Sequence, residues 1–274
     1  PLHHTLAAMA PTLTVVVPTY DEVENIEPLT RRLFAALGET DIKAELLIMD
    51  DESKGTTETE RIVSRLKNEG FRVRIHVRRK GEGRGLSSAV LLGFDMAQHD
   101  YVLCMDADLQ HEPESVPSIA EPVMNGDADF AVGSRNISGG KVAGWTLLRK
   151  VISMGATVLA LPLTTCTDPM SGFFCTSKEV LRRGRDRCNP MGFKIGLELM
   201  VRCRCKRVMD VPITFQDRVA GESKLSMKQN VLYLRQLAGL YWDMYAILIV
   251  ILIMLTIAAL MFAVQLAQKH GYIP

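Results

Sequence analysis

Between positions 13 and 133, short β-branched and aliphatic runs alternate with longer stretches whose apolar residues recur every three or four positions. The short runs, at 13–17, 45–49, 73–77, 101–105 and 129–132, predict strands, and the stretches at 25–37, 57–68, 87–98 and 114–124 predict helices. Strands that are apolar throughout and separated by helical crossovers need cover on both faces, so the pattern predicts an α/β fold with a doubly wound, mostly parallel sheet. Such sheets bind ligands beyond the carboxyl ends of their strands. Polar residues collect at those ends: Pro18-Thr19-Tyr20-Asp21-Glu22, then Asp50-Asp51, then Asp106-Ala107-Asp108.

Beyond Gly133 the alternation weakens. The stretch 151–163 is apolar but too short to span a bilayer, and it follows Arg149-Lys150. The stretch 225–242 is amphipathic, with Lys228 and Arg235 among Leu, Tyr and Trp. Either fits a core helix, but beside a membrane anchor at least one is expected to lie in the interface. Residues 246–264 carry no charge, and at 1.5 Å per residue they cover roughly 30 Å, the depth of a hydrocarbon core. Lys224, Lys228 and Arg235 precede this run while only Lys269 and His270 follow it, so the positive-inside bias predicts a cytoplasmic main domain. Residues 1–11 have neither a basic n-region nor an apolar core and do not read as a signal peptide.

Composition narrows the picture modestly. A net charge of +1 gives no global field for nucleic acid, and none is expected as a partner. The six cysteines show no paired spacing, and Cys203/Cys205 lacks the other ligands zinc would need, so reduced thiols are expected.

The chemistry-bearing groups are mostly oxygen donors and cations. On an extended segment Asp106, Asp108 and Gln110 would share one face. Three hard oxygen donors with no thiol or imidazole suit Mg²⁺ or Mn²⁺. Tyr20, Glu22 and the Asp50-Asp51 pair offer a ring to stack on and carboxylates to accept hydrogen bonds, which a nucleoside needs. The run Arg78-Arg79-Lys80-Gly81-Glu82-Gly83-Arg84-Gly85 fits a phosphate loop or a basic surface loop equally. Arg135, Arg149, Lys194, Arg218 and Lys224 recur beside Gly and Ser, as loops that grip phosphate oxygens would.

These motifs occur in a recognisable order. Val17-Pro18-Thr19-Tyr20-Asp21-Glu22, Asp50-Asp51-Glu52-Ser53, Asp106-Ala107-Asp108-Leu109-Gln110-His111 and Gly133-Ser134-Arg135 come first. Asp168-Pro169-Met170-Ser171-Gly172-Phe173-Phe174, Gly192-Phe193-Lys194-Ile195 and Arg218-Val219-Ala220-Gly221-Glu222-Ser223-Lys224-Leu225 follow. Together they resemble the dolichol-phosphate mannose synthases, family-2 inverting glycosyltransferases of the GT-A, Rossmann-like fold, in the single-subunit form with a C-terminal anchor. The resemblance implies transfer of mannose from GDP-mannose to dolichyl or polyprenyl phosphate, with a divalent cation, Mg or Mn, and no obligatory protein subunit. It places the chain in the endoplasmic reticulum membrane, serving protein glycosylation and GPI-anchor synthesis.

By that resemblance Pro18, Tyr20, Glu22, Met49 and Asp51 hold the guanosine, and Asp106, Asp108 and Gln110 hold the metal. Ala107 lies against the donor, and Lys194, Arg218 and Lys224 contact its phosphates or sugar. Arg135, Arg149 and Ser153 grip the lipid phosphate, and Asp108 and Arg218 are the catalytic pair. The implied organisation is an extension at 1–11, a catalytic domain at 12–223, an amphipathic interfacial helix at 224–243, a transmembrane helix at 244–266 and a tail at 267–274. Two departures from the pattern stand out: Lys54 precedes Gly55 where the family carries Asp, and Ser87 occupies a common glycine position. A polyprenyl-phosphate glucosyltransferase using UDP-glucose shares most of these motifs, and an inactive nucleotide-sugar-binding subunit is the alternative of another class.

Overall fold

A computed structural model describes residues 12–79, 81–142, 147–216 and 227–269. The first half builds strands β1 (Thr12–Thr19), β2 (Lys43–Asp50), β3 (Val73–Val77), β4 (Tyr101–Cys104) and β5 (Phe130–Ser134). Helices α1 (Val23–Gly38), α2 (Thr56–Asn68), α3 (Leu86–Met96) and α4 (Val116–Met124) connect them. Beyond these come β6 (Lys141–Val142), α5 (Leu147–Ala160), β7 (Phe174–Ser177), α6 (Lys178–Arg182), α7 (Ile195–Arg202), β8 (Val208–Pro212), β9 (Thr214–Phe215) and α8 (Met227–Lys269).

Seven strands form one sheet in the order β3-β2-β1-β4-β7-β5-β8, and β6 and β9 pair separately. Strands β1 to β4 are parallel, as expected, and β5 pairs parallel with β8. β7 runs antiparallel between β4 and β5. The sequence reading placed no strand at β7 or β8.

Alternation along the strands sorts the core onto two faces. Val16, Leu47, Met49, Val102 and Phe174 face α3, α7 and the first half of α8. Leu13, Val15, Val17, Leu46, Ile48 and Leu103 face α1, α2 and α4. Helix α3 lies very close to β1: a Cβ at Gly93 would stand 2.4 Å from Val16 Cγ1. Only glycine lets the helix approach this closely.

Helix α8 belongs to the domain in its first half only. Leu237 and Leu240 are buried, and Gln236 Nε2 donates to Lys194 O and Glu198 Oε2 at 3.1 and 3.0 Å. Three tyrosine hydroxyls tie α8 to the α5 segment: Tyr233 to Ala156 O, Tyr241 to Leu159 O and Tyr245 to Pro162 O, at 2.6, 2.9 and 2.5 Å. Backbone geometry leaves the helical range at Tyr245 (φ −123°, ψ 15°), and the helix then continues away from the domain. Its most apolar window has a mean hydropathy of 3.2 with no residue buried, so it is long and apolar enough to cross a membrane. Val151, Met154 and Val158 on α5, with Val231 and Leu234 on α8, add an exposed apolar surface next to it.

Candidate active site

A cavity of about 390 Å³ opens at the carboxyl ends of β1, β2 and β4. Pro18, Tyr20, Glu22, Asp51, Asp106, Ala107 and Asp108, all expected in the site from the sequence, line it together. Tyr20 is half exposed at the mouth.

The two aspartates ending β2 have different tasks. Asp50 is fully buried and organises the loop: it accepts from Thr19 Oγ1 (3.0 Å), from the Glu52 amide (3.0 Å) and from Thr56 Oγ1 (2.5 Å). Asp51 turns toward the cavity, where the Gly85 amide donates to its Oδ2 at 2.8 Å and the Arg78 guanidinium to its Oδ1. Arg78 also donates to Ser88 Oγ and Gly85 O, at 2.8 and 3.0 Å, and has no solvent exposure. The basic run 78–85 divides: its first arginine is an internal brace for Asp51, while Arg79 and 81–85 are exposed, as a basic surface loop would be. Gly85 has φ +99°, a left-handed conformation that lets its amide reach the carboxylate at no steric cost. Gly55 follows Lys54, the first of the two departures, and a Cβ there would meet Val23 Cγ2 at 2.2 Å.

Asp106 to Gln110 is not an extended segment. β4 ends at Cys104, and the chain turns with Leu109 at φ +58°, so simple alternation does not set the side-chain directions. The turn nevertheless carries Asp106 and Asp108 into the cavity. Gln110 lies behind them rather than on the cavity wall: its amide N donates to Asp108 Oδ1 (3.2 Å) and its Nε2 to Gln216 O (3.0 Å). Gly172 backs Asp106, and a Cβ there would stand 3.3 Å from both carboxylate oxygens.

His111 is buried between Phe173 and Phe215, with ring centroids at 5.0 and 5.4 Å. Its Nδ1 accepts the Asp106 amide at 3.3 Å. Burial pushes its pKa down to about 4, the Asp108 charge opposing and the Arg135 charge assisting, so the imidazole is neutral at physiological pH. His111 stands behind the metal motif and does not line the cavity.

Met49 is fully buried and packs in the α3-side core rather than on the cavity, so direct nucleoside contact is not its place in the fold. Lys194 precedes α7 and donates to Met170 O at 2.9 Å, beside the cavity residue Phe193. Arg135 meets a partner the sequence reading did not assign. Its Nε and one terminal nitrogen form a fork on the Asp168 carboxylate at 2.7 and 2.8 Å, its amide adds a third bond at 3.1 Å, and its guanidinium lies 5.0 Å over Phe215. Burial would raise the Asp168 pKa, but Arg135 outweighs it and holds the carboxyl below its usual range. Ser153 is half-buried on α5, one turn beyond Arg149. The Arg149 side chain, Arg218 and Lys224 lie outside the described residues. Thr19, Leu86, Ala89, Gly172 and Phe193 also line the cavity. Leu86 and Ala89 could have been found from their three-residue spacing at the start of α3; Gly172 and Phe193 come from distant loops.

A strand-end cavity with two carboxylates on one wall and an aromatic ring at its mouth has the chemistry a nucleotide-sugar would need. Residues 14–184 match the Glycosyl transferase family 2, and the chain belongs to that family of glycosyltransferases. Within it the chain belongs with the dolichol-phosphate mannosyltransferases. It is 45% identical to that of Saccharomyces cerevisiae over 240 residues, covering 83% of this chain and 86% of the relative. Identity to the Mycosarcoma maydis enzyme of the same name is 40% over 272 residues, covering 95% and 90%. Among solved structures, glucosyl-3-phosphoglycerate synthase from Mycobacterium tuberculosis, in complex with Mn²⁺, UDP and glucosyl-3-phosphoglycerate, superposes with a TM-score of 0.59 at 19% identity, covering 85% of this chain and 79% of that one. Mannosyl-3-phosphoglycerate synthase from Rubrobacter xylanophilus gives 0.60 at 15%, covering 85% and 75%. These two likenesses establish the GT-A fold.

Proposed function

We propose that the protein transfers mannose from GDP-mannose to dolichyl phosphate, with inversion at the anomeric carbon. The observation that carries this reading is one cavity uniting Tyr20 and Asp51 at one end with Asp106 and Asp108 at the other, in a chain 45% identical to a dolichol-phosphate mannosyltransferase. Tyr20 offers its ring to the base, and Asp51, braced by Arg78, offers carboxylate oxygens to base or ribose.

The donor set at the diphosphate end fits a hard divalent cation. Asp106 and Asp108 supply carboxylate oxygens, Gln110 an amide oxygen behind them, and the one nearby imidazole is turned to a backbone amide. Mg²⁺ or Mn²⁺ held there would neutralise charge on the departing diphosphate. Asp108 and the Gln110 amide that bonds it fix those oxygens in place. Lys194 and, by resemblance, Arg218 and Lys224 offset the remaining phosphate charge.

The acceptor is a phosphate monoester, whose second pKa of about 6 leaves it largely dianionic at neutral pH. Its oxygen attacks without first losing a proton, so the reaction needs no enzyme-borne base. The protein's task is to hold two anions on opposite faces of the sugar, which calls for arginines on the acceptor side. Arg135, Arg149 and Ser153 are assigned that role, with Arg149 and Ser153 one turn apart on α5. We assign this side of the domain to a bilayer surface, a reading supported by the exposed apolar residues of α5 and the apolar end of α8, and the bilayer to the endoplasmic reticulum with the catalytic domain cytoplasmic, supplying glycosylation and GPI-anchor synthesis.

The test is direct. Purified full-length protein with short-chain polyprenyl phosphate should form a β-linked mannosyl lipid from GDP-mannose with Mn²⁺, and little with EDTA. Preferential turnover of UDP-glucose would replace the donor assignment, and nucleotide binding without turnover would make the chain a binding subunit.

A further inference from the structure

Residues 182–187 and 202–207 carry eight Lys or Arg and one acid, Asp186, in a chain whose net charge is only +1. The fold joins the two segments: a terminal nitrogen of Arg187 donates to Arg202 O at 2.5 Å. Part of this charge is answered within the protein. Arg185 pairs with Asp95, Arg183 and Arg207 share Asp129, and Arg202 meets Glu198. Arg182, Arg204 and Lys206 are exposed and make no ion pair among the described residues.

Asp243 ties one edge of this surface to α8. Arg187 and Arg202 both reach its carboxylate, at 3.7 and 3.0 Å. Asp243 lies three residues before Ala246, where the uncharged run of α8 begins, a rise of about 5 Å along a helix. That is inside the Debye length of about 8 Å at physiological ionic strength, so charges here act on whatever surface surrounds the helix. Trp242, 56% exposed, and the tyrosines at 241 and 245 stand at the same level, as aromatic residues do at a headgroup plane.

We propose that this basic surface binds anionic phospholipid headgroups of the leaflet that α8 enters, with Arg182, Arg204 and Lys206 as the contacts. The inference rests on α8 spanning a bilayer. The substrate site has no part in it, since these three residues do not line the cavity. A headgroup phosphate or carboxylate is the partner that fits: anionic, dense in the plane of the membrane, and next to the surface by construction. The clustering also adds to the positive-inside bias that orients the domain.

The test uses the full chain reconstituted in phosphatidylcholine vesicles with trace spin-labelled phosphatidylserine or phosphatidylcholine. The motionally restricted spectral component reports which lipid occupies the protein boundary. Wild-type protein should prefer phosphatidylserine by about threefold or more, and salt near 0.5 M should weaken that preference. Combined Arg182→Gln, Arg204→Gln and Lys206→Gln should bring the two lipids to parity while mannosyl transfer to a short-chain acceptor persists. Equal occupancy in the wild type would overturn the inference. So would a preference that survives the triple change and is lost in Lys228→Gln with Arg235→Gln, which would put the contact on the helix itself. Failure of the chain to resist alkaline extraction would instead reject the span on which the inference rests.

Discussion

Asp168→Ala probes what holds the acceptor side of the site. The side chains of Asp168 and Arg135 are 1% and 9% exposed, so solvent screens this pair little. Three N–H groups of Arg135 converge on the one carboxylate at 2.7 to 3.1 Å. Removing the carboxylate strips a buried guanidinium of this counter-charge, and breaking a buried pair from one side costs about 3–5 kcal/mol. That is a large share of the roughly 5–15 kcal/mol that holds a domain folded. Asp168→Asn keeps the volume and one acceptor, so its cost should be smaller, about 1.5–3 kcal/mol, the worth of hydrogen bonds to a charged group. Arg135→Met combined with Asp168→Leu removes both charges and should cost much less than the sum of the single changes. Urea unfolding of the full chain in detergent measures these three variants and the single changes Arg135→Met and Asp168→Leu. A loss under about 1 kcal/mol in Asp168→Ala, or strictly additive losses in the double variant, would show a pair that behaves like an exposed one and would refute the reasoning. Kinetics add a second reading: if Asp168 holds Arg135 for the acceptor, Asp168→Asn raises the acceptor KM and leaves the GDP-mannose KM unchanged. An effect on the donor alone would move Arg135 to the other side of the site.

Asp108→Ala should remove several kcal/mol of transition-state stabilisation without unfolding the domain, and near-normal turnover would reject the metal assignment. Gly172→Ala places a methyl 3.3 Å from both Asp106 oxygens and should lower kcat/KM severalfold while the melting temperature moves little. Burial would raise the Glu45 carboxyl, but Arg74, the Gln98 amide and Thr14 outweigh it and leave it below its ordinary 4.5. A depressed carboxyl stabilises the fold above its unfolded pKa and loses that contribution as pH falls through the folded one. Glu45→Gln should therefore cost about 1–3 kcal/mol at pH 7, a gap that narrows as pH falls below 4.5 and through the depressed folded pKa in paired melts against wild type. Deleting 246–274 removes no buried residue among those described, so the truncated protein should melt as before, bind GDP-mannose and use long-chain acceptor poorly.

Half of the fold was legible because its signals are local. β1 to β5 and α1 to α4 each carry their own periodicity, and a strand such as Val15-Val16-Val17 declares burial on both faces. β7 could not be read this way. Phe174-Cys175-Thr176-Ser177 is four residues long, and it is a strand because β4 and β5 pair with it from both sides. That is a tertiary fact, set by a chain excursion of some forty residues after β5.

The site divides along the same line. Residues at strand ends, Tyr20, Asp51, Asp106 and Asp108, are legible as cavity-lining positions because the topology of such sheets opens a cleft there. What braces them was missed, because braces come from afar: Arg78 for Asp51, Asp168 for Arg135, Gly172 against Asp106. In Asp106 to Gln110 two of the three expected donors, Asp106 and Asp108, reach the cavity, but through a different geometry. Period-two alternation was assumed, whereas a left-handed Leu109 turns the chain and sets Gln110 behind Asp108. A carboxylate pair can thus be read from residue type and strand position, while the direction of each oxygen depends on one backbone torsion that residue type does not announce.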